Sequence, residues 1–203
     1  MPDEETSIET KDTASRVTGA MRRMDLVFVD TETTGLDPRK HELLEIAFVR
    51  VQQDWSISGA PVFTIVEEWS AKVLPENIQS ADPASLRVNG YTVTAWNGAV
   101  RIQDALKIFS DKTEGAIMVA HNVAFDASFL DTAFSTYGVP NKMHYHRLDT
   151  VSMAYAKLNS APEVTRYSLA ELCKHFGIVN ENAHSALADA RACFELFERL
   201  MKI

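Results

Sequence analysis

Residues Leu26–Leu36 read LVFVDTETTGL, and this stretch constrains the chain more than any other. Leu26, Val27, Phe28 and Val29 form an apolar run of strand type, too short for a helix. Asp30 and Glu32 follow at i and i+2. In an extended chain that spacing puts both carboxylates on one face. Like charges so close repel, and at the end of a buried strand both are poorly solvated. A bound cation relieves both problems, and hard oxygen donors suit Mg²⁺ or Mn²⁺. Thr33, Thr34 and Gly35 then break the strand and offer backbone N–H groups in a tight turn, a cradle for a phosphate or sugar. A bare D-x-E also fits a strand ending in a solvated acidic turn, so the other acids of the chain decide.

Asp126, in the helical pattern Val123–Tyr137, has Phe129, Leu130 and Ala133 at i+3, i+4 and i+7. It therefore lies on the apolar stripe, where an unpaired carboxylate is costly. A structural salt bridge would satisfy it as well as a metal would. The last helix, Ser185–Met201, repeats the anomaly: Asp189 shares a face with Cys193, Leu196 and Leu200. His184 precedes Asp189 by five residues, an offset that on one helix would turn it about 140° away. The two share a site only if His184 lies on the loop opened by Asn180-Glu181-Asn182. There it would take a proton from water near neutral pH, or stand as an exposed loop histidine. His121 and Asn122 end a strand and begin a helix, a common site position in α/β sheets, and Asn122 fits a helix cap equally well. His41, His144, His146 and His175 carry no such context.

The rest of the chain supplies a frame for these residues. Strands are expected at Leu43–Val51, Pro61–Glu67, Ala116–Ala120 and His146–Asp149, with Gln52–Gly59 as a turn. Helices are expected at Asp82–Val88, Asn97–Ser110, Thr150–Leu158 and Ser168–Phe176. Three strands joined by short links form an antiparallel meander, and a strand–helix–strand unit follows, giving a mixed sheet with helices on its faces. The 203 residues suffice for one domain with a sizeable core. Residues 1–23 are polar, mixed in charge and without a leader pattern, and are expected to be a mobile tail with Met21 or Met24 as alternative starts. Residues 24–203 are then the single folded domain. A net charge of −8 excludes a broad basic surface for nucleic acid, but not a grip on a strand end through bound cations. Two cysteines, Cys173 and Cys193, outside any C-x-x-C pair, and no apolar run of membrane length point to a reduced, cytoplasmic setting and no membrane.

Taken in order, Asp30-Thr31-Glu32-Thr33-Thr34-Gly35, then Asn122 with Phe125-Asp126, then His184 with Asp189, resemble the three motifs of the DEDDh 3′–5′ exonucleases, the proofreading exonuclease domains of the ribonuclease H-like fold. The match runs from Asp25 to about Leu200 and has the form of the histidine branch. The resemblance implies an α/β three-layer fold whose five-stranded mixed sheet has the order 3-2-1-4-5, with strand 2 antiparallel. It implies two divalent cations, Mg²⁺ or Mn²⁺, held by Asp30, Glu32, Asp126 and Asp189, with His184 as general base. The substrate would be the 3′ end of DNA or RNA, and the product a nucleoside 5′-monophosphate. Thr33 and Thr34 would meet the terminal sugar, Leu36 would wedge between the last two bases, and Phe125 would stack or pack in the core. His121 and Asn122 are further substrate candidates. A polymerase or other protein partner and a homodimer are compatible with the family. Two rival classes are a silent nucleic-acid-binding module on the same fold and a phosphohydrolase or transferase acting on small phosphates.

Overall fold

The structure, a computed structural model, describes residues 21–56 and 60–203. Five strands form one sheet in the order β3-β2-β1-β4-β5: β1 Leu26–Thr33, β2 Leu43–Asp54, β3 Val62–Lys72, β4 Ile117–Ala120 and β5 Arg147–Asp149. β2 runs antiparallel to β1 and β3, while β4 pairs parallel with β1 and β5 with β4. This is the order and the strand sense that the resemblance implies. The helices are α1 Pro83–Val88, α2 Ile102–Lys112, α3 Val123–Tyr137, α4 Thr150–Lys157, α5 Leu169–Phe176 and α6 Ala186–Met201.

Alternation along β1 splits the core into two layers. Val27 and Val29 pack with Leu106 and Phe109 of α2 and with Phe129 and Leu130 of α3. Leu26 and Phe28 face the other way, onto Phe194 and Phe197 of α6, with Phe28 ring centroids 5.1 and 5.2 Å from theirs. α3 and α6 therefore cover opposite faces of the sheet. β1 meets β4 only from Leu26 to Phe28, so its last five residues run on beyond that pairing. β2 continues alongside them, opposing Asp30 with Ala47, Thr31 with Ile46 and Glu32 with Glu45. The acids thus lie inside a strand that outruns one of its neighbours, and the carboxylates of both faces meet at that open end.

Several boundaries differ from those expected. β1 reaches Thr33, β2 reaches Asp54 and β3 reaches Lys72, because antiparallel pairing carries each strand past its apolar run. The expected turn Gln52–Gly59 accordingly starts later, and residues 57–59 of it lie outside the described residues. α2 begins at Ile102 instead of Asn97, since Gly98 has φ +88° and the Val100 N–H donates to the Lys72 carbonyl. Of the expected tail, Met21–Arg23 form a short 3₁₀ turn. Met21 and Met24 pack beside Phe63, and Gln53 donates to both of their carbonyls. Residues 1–20 lie outside the described residues. Cys173 and Cys193 are buried and unpaired. Among the described residues, no helix is long and apolar enough to cross a membrane.

Candidate active site

Asp30 and Glu32 project from β1 on the face that carries α6. Asp189 stands in the first turn of that helix, where a carboxylate is favoured by the helix dipole. Its Oδ2 accepts the His184 backbone N–H at 3.0 Å and its Oδ1 accepts from Asn180 Nδ2 at 2.5 Å. His184 precedes the Ser185 N-cap and is therefore on the entry loop, the one placement that lets it share a site with Asp189. Glu32, His184 and Asp189 offer donor atoms within 4.8 Å of one another. Asp126 arrives from α3 on the opposite face, 4% exposed, with its Oδ1 accepting the Thr31 hydroxyl at 2.8 Å. Asp30 and Asp126 stand outside the 4.8 Å group, and Asp30 feels the charge of Asp189 and Glu32.

The electrostatics are those of a crowded acid cluster. Burial, then the charges of Asp126, Asp189, Glu32 and Glu45, hold the Asp30 carboxyl well above the usual carboxylate range. Burial, then Asp189, Glu45 and Asp126, push Glu32 up to about 8. Burial pushes Asp126 up to about 7 against the opposing hydrogen bond from Thr31. No lysine or arginine is among the causes acting on these three acids. Among the described residues no salt bridge accounts for Asp126, whereas oxygen donors in this number fit divalent cations.

Backbone conformation singles out two of the sequence candidates. Among the described residues, the only non-glycine positions with positive φ are Asn122 at 66° and His184 at 69°. Such backbone is costly for a side chain as bulky as imidazole, and it clusters at functional sites. Asn122 occupies the N-cap position of α3, and its side chain makes no capping bond. Its N–H instead donates to Asp149 Oδ1 at 2.9 Å, and the same oxygen accepts from Val151 at the start of α4.

The remaining candidates differ in how far they are open to a substrate. Thr34 is fully buried: its hydroxyl accepts the Glu42 N–H, its N–H donates to the Glu42 carbonyl, and its carbonyl accepts the Asp82 N–H. It pins the turn from within and has no side-chain surface left for a sugar. The Thr33 hydroxyl donates to the Gly35 carbonyl at 2.7 Å. Both ring nitrogens of His121 are engaged inside the protein, Nδ1 with the Thr150 hydroxyl at 2.9 Å and Nε2 with the Tyr167 carbonyl at 2.8 Å. His121 thus ties the end of β4 to the segment before α5. Phe125 is half-buried with its ring 5.0 Å from that of Phe129. Leu36, 74% exposed, stands at the tip of the turn.

The sequence alone assigned no site contact to Glu45, Asn180 or Asn89. Glu45 is a buried acid directly across from Glu32. Its signal was present: an acid inside the doubly buried run Leu43–Val49, the same test that exposed Asp126. Asn89 donates to the Thr33 carbonyl at 3.1 Å, a contact between residues 56 apart that no local pattern shows.

Comparison with known proteins agrees with this geometry. The RNase T exonuclease family model matches residues 27–197. DNA polymerase III of PolC type from Streptococcus pyogenes serotype M1 is 30% identical over 176 residues, which are 87% of this chain and 11% of that protein. The PolC-type polymerase of Streptococcus thermophilus is 29% identical over 172 residues, 85% of this chain and again 11% of the relative. The chain thus spans about a ninth of the curated relatives it matches. Among solved structures, Escherichia coli Exonuclease I in complex with a dT13 oligonucleotide superposes with a TM-score of 0.69 at 21% identity, over 87% of this chain and 41% of that one. Exonuclease I from Methylocaldum szegediense gives 0.67 at 20% identity, over 87% and 40%. At these identities the structures speak for the fold.

Proposed function

Because the chain belongs to the exonuclease family whose model spans residues 27–197, we propose that it is a divalent-cation-dependent 3′–5′ exonuclease releasing nucleoside 5′-monophosphates from single-stranded DNA ends. The observation that carries this reading is the convergence of Asp30, Glu32, Asp126 and Asp189 from three elements, with the first three carboxyls raised and, among the described residues, no cationic side chain acting on them. Asp30, Glu32, Asp126 and Asp189 would hold two divalent cations, Mg²⁺ or Mn²⁺. Bound there, such ions supply positive charge for the scissile phosphate and for both the attacking and the leaving oxygen. His184 takes the proton of the attacking water as its oxygen bonds to phosphorus and the bond from phosphorus to O3′ breaks; the leaving O3′ regains a proton from solvent. Asp189 holds the His184 backbone in place for that transfer. The turn Thr33–Leu36 receives the terminal nucleotide through its backbone, with exposed Leu36 against the bases. A net charge of −8 fits a grip limited to the strand end.

Single-stranded DNA is the first substrate to test because Exonuclease I, the structural relative, is recorded with a DNA oligonucleotide. A polymerase is the first partner to test, since the PolC-type relatives are named as polymerases. The deciding experiment incubates 5′- and 3′-labelled oligonucleotides of DNA and of RNA with the protein, with Mg²⁺ or with EDTA. Mononucleotides released first from the 3′ end, and only with the cation, are the expected result. Binding without release identifies a silent module. Release from small phosphates alone identifies the phosphohydrolase class.

A further inference from the structure

Asp149 ends β5 opposite Ala120 and stands at the N-cap of α4. Its Oδ1 accepts the Val151 N–H at 3.2 Å and its Oδ2 accepts the Ser152 hydroxyl at 2.8 Å. So far it is an ordinary helix cap. The same Oδ1, however, also accepts the Asn122 N–H at 2.9 Å and, less closely, the Val123 N–H at 3.4 Å. These belong to the N-cap and the first residue of α3. One carboxylate thus serves the N-termini of two helices, each of which leaves its first N–H groups without partners inside the helix. Burial acts to raise the Asp149 carboxyl, but the bonds from Ser152, Val151, Asn122 and Val123 outweigh it and hold the group below the usual carboxylate range. The next residue tightens the same clamp. The buried Thr150 hydroxyl lies 2.9 Å from His121 Nδ1 and 3.3 Å from the Ala120 carbonyl. Residues 120–123 are therefore each tied to 149 or 150.

Asn122 needs such a hold. Its φ of 66° is left-handed, and its exposed side chain makes no cap bond that would fix the backbone locally. A costly conformation of this kind persists only where the surroundings over-determine it. Asn122 is also the joint between β4 and α3, and Asp126 follows it by about one helical turn. A tilt of α3 at this joint is carried to Asp126, whose carboxylate is otherwise held by the Thr31 hydroxyl. We propose that Asp149 is a positioning residue for the cation site: by accepting the Asn122 and Val123 N–H groups it fixes where α3 leaves β4, and so where the Asp126 carboxylate meets the acids of β1. This rests on the reading of Asp126 as a cation ligand. Capping α4 and holding Asn122 make different demands on the side chain. A serine caps helices well but is one bond shorter, so it keeps the α4 cap and releases Asn122. Asparagine keeps both, with its oxygen towards the backbone N–H groups and its amide N–H towards the Ser152 oxygen.

The test compares the full-length parent with Asp149→Ser and Asp149→Asn by three readouts. The first is amide hydrogen exchange without cation or substrate. Asp149→Ser is expected to lose protection at Asn122 and Val123 and to keep it at Val151 and Ser152. The second is Mn²⁺ binding without substrate. Asp149→Ser is expected to bind about 10–100-fold more weakly, the scale of losing a partner that orients a metal ligand. The third is release from a 3′-labelled DNA oligonucleotide at Mg²⁺ that saturates the parent. There kcat of Asp149→Ser should fall about 10–100-fold while KM for the oligonucleotide changes less than about threefold. Asp149→Asn should match the parent in all three. If Asp149→Ser does not fold, Asp149→Thr has the same reach, suits a strand end better and takes its place. A short variant whose Asn122 amide exchanges freely but whose Mn²⁺ affinity is that of the parent overturns the proposal. So does one that keeps protection at Asn122, or an Asp149→Asn protein as impaired as Asp149→Ser. A parent that releases no nucleotide sinks the exonuclease reading instead, while exchange and Mn²⁺ binding still decide the role of Asp149.

Discussion

Asp126 and His184 should fail differently when changed, because in the proposed mechanism one supplies charge and the other a proton acceptor. Asp126 is buried with the Thr31 hydroxyl as its hydrogen-bond donor, and asparagine keeps an oxygen for that hydroxyl. Asp126→Asn should therefore fold, and in EDTA it should melt no lower than the parent, because it removes one member of a repulsive cluster. Its rate should fall at least about 10²–10³-fold, the scale of losing one preorganised charged group. Parent-like turnover at saturating Mg²⁺ would remove Asp126 from the cation site. For His184 the informative change is to glycine. Glycine accepts φ 69° without strain, so His184→Gly should be as stable as the parent or more so. An ordinary loop histidine at that position would be replaced with no loss of rate. A general base there predicts a fall of about 10²–10⁴-fold with the melting temperature maintained. Rates and thermal melts on the same preparations separate the two cases. Asp126 was legible in the sequence because an acid on an apolar stripe violates a local rule, whereas His184 was picked out by the loop opened at Asn180-Glu181-Asn182 and by the motif it completes. Thr34 and His121 were named from the motifs, but their contacts were not legible, because their partners Glu42 and Tyr167 are fixed by the fold and not by local spacing.

The turn between β1 and β2 shows how an element can be read from a motif while its supports stay hidden. Its position follows from Thr33-Thr34-Gly35, but its rigidity comes from outside the motif. Asp82, Glu42 and Asn89 each bond its backbone or side chains, and the Asp37 N–H donates to His41 Nδ1 at 3.0 Å. The His41 ring rests on Gly35, where an added Cβ would stand 2.5 Å from three of its atoms. Glycine is needed there for space. Gly35→Ala should push the ring aside, break its bond to Asp37 and loosen the segment that carries Leu36. The expected effect is a rise of about tenfold in KM for a 3′ end, about 1.4 kcal/mol of binding, with kcat less affected. His41→Ala in the same chain should recover part of that loss, since the two changes share one contact. Additive losses in the double variant would show that the clash is not the cause. The helices teach a similar lesson: α3 and α6 were legible from their apolar stripes, whereas the start of α2 depended on Val100 pairing with the end of β3. The sheet order itself came from the family resemblance. Strand patterns alone indicated a meander and one parallel unit.

At the scale of the molecule, the sheet gathers acids from both faces at the end of β1, and the whole fold bears the consequence. The folded protein holds Glu32 at about 8 against an ordinary 4.5 and Asp126 at about 7 against 3.8, with Asp30 raised as well. A carboxyl whose folded pKa is raised binds its proton more tightly in the folded state. Its contribution is fully present below the unfolded pKa near 4 and is lost as pH climbs to the folded value. His121 acts in the opposite sense, since burial lowers its pKa and keeps the imidazole neutral. One lowered histidine opposes four raised carboxyls, Glu45 being the fourth, so the carboxyls set the net sign. Without divalent cations, the melting temperature should therefore fall from about pH 5 to pH 8. Cation binding requires the carboxylates ionised, so added Mg²⁺ should stabilise little at pH 5 and increasingly towards pH 8, flattening or reversing the decline. Combining Asp126→Asn with Glu32→Gln should flatten the EDTA profile and remove most of the Mg²⁺ response. Thermal melts of parent and double variant across this range, in EDTA and in Mg²⁺, measure all of these at once. A parent whose EDTA profile rises from pH 5 to pH 8, or whose Mg²⁺ increment is the same at both ends, would show that the acids are not held in mutual repulsion awaiting a cation.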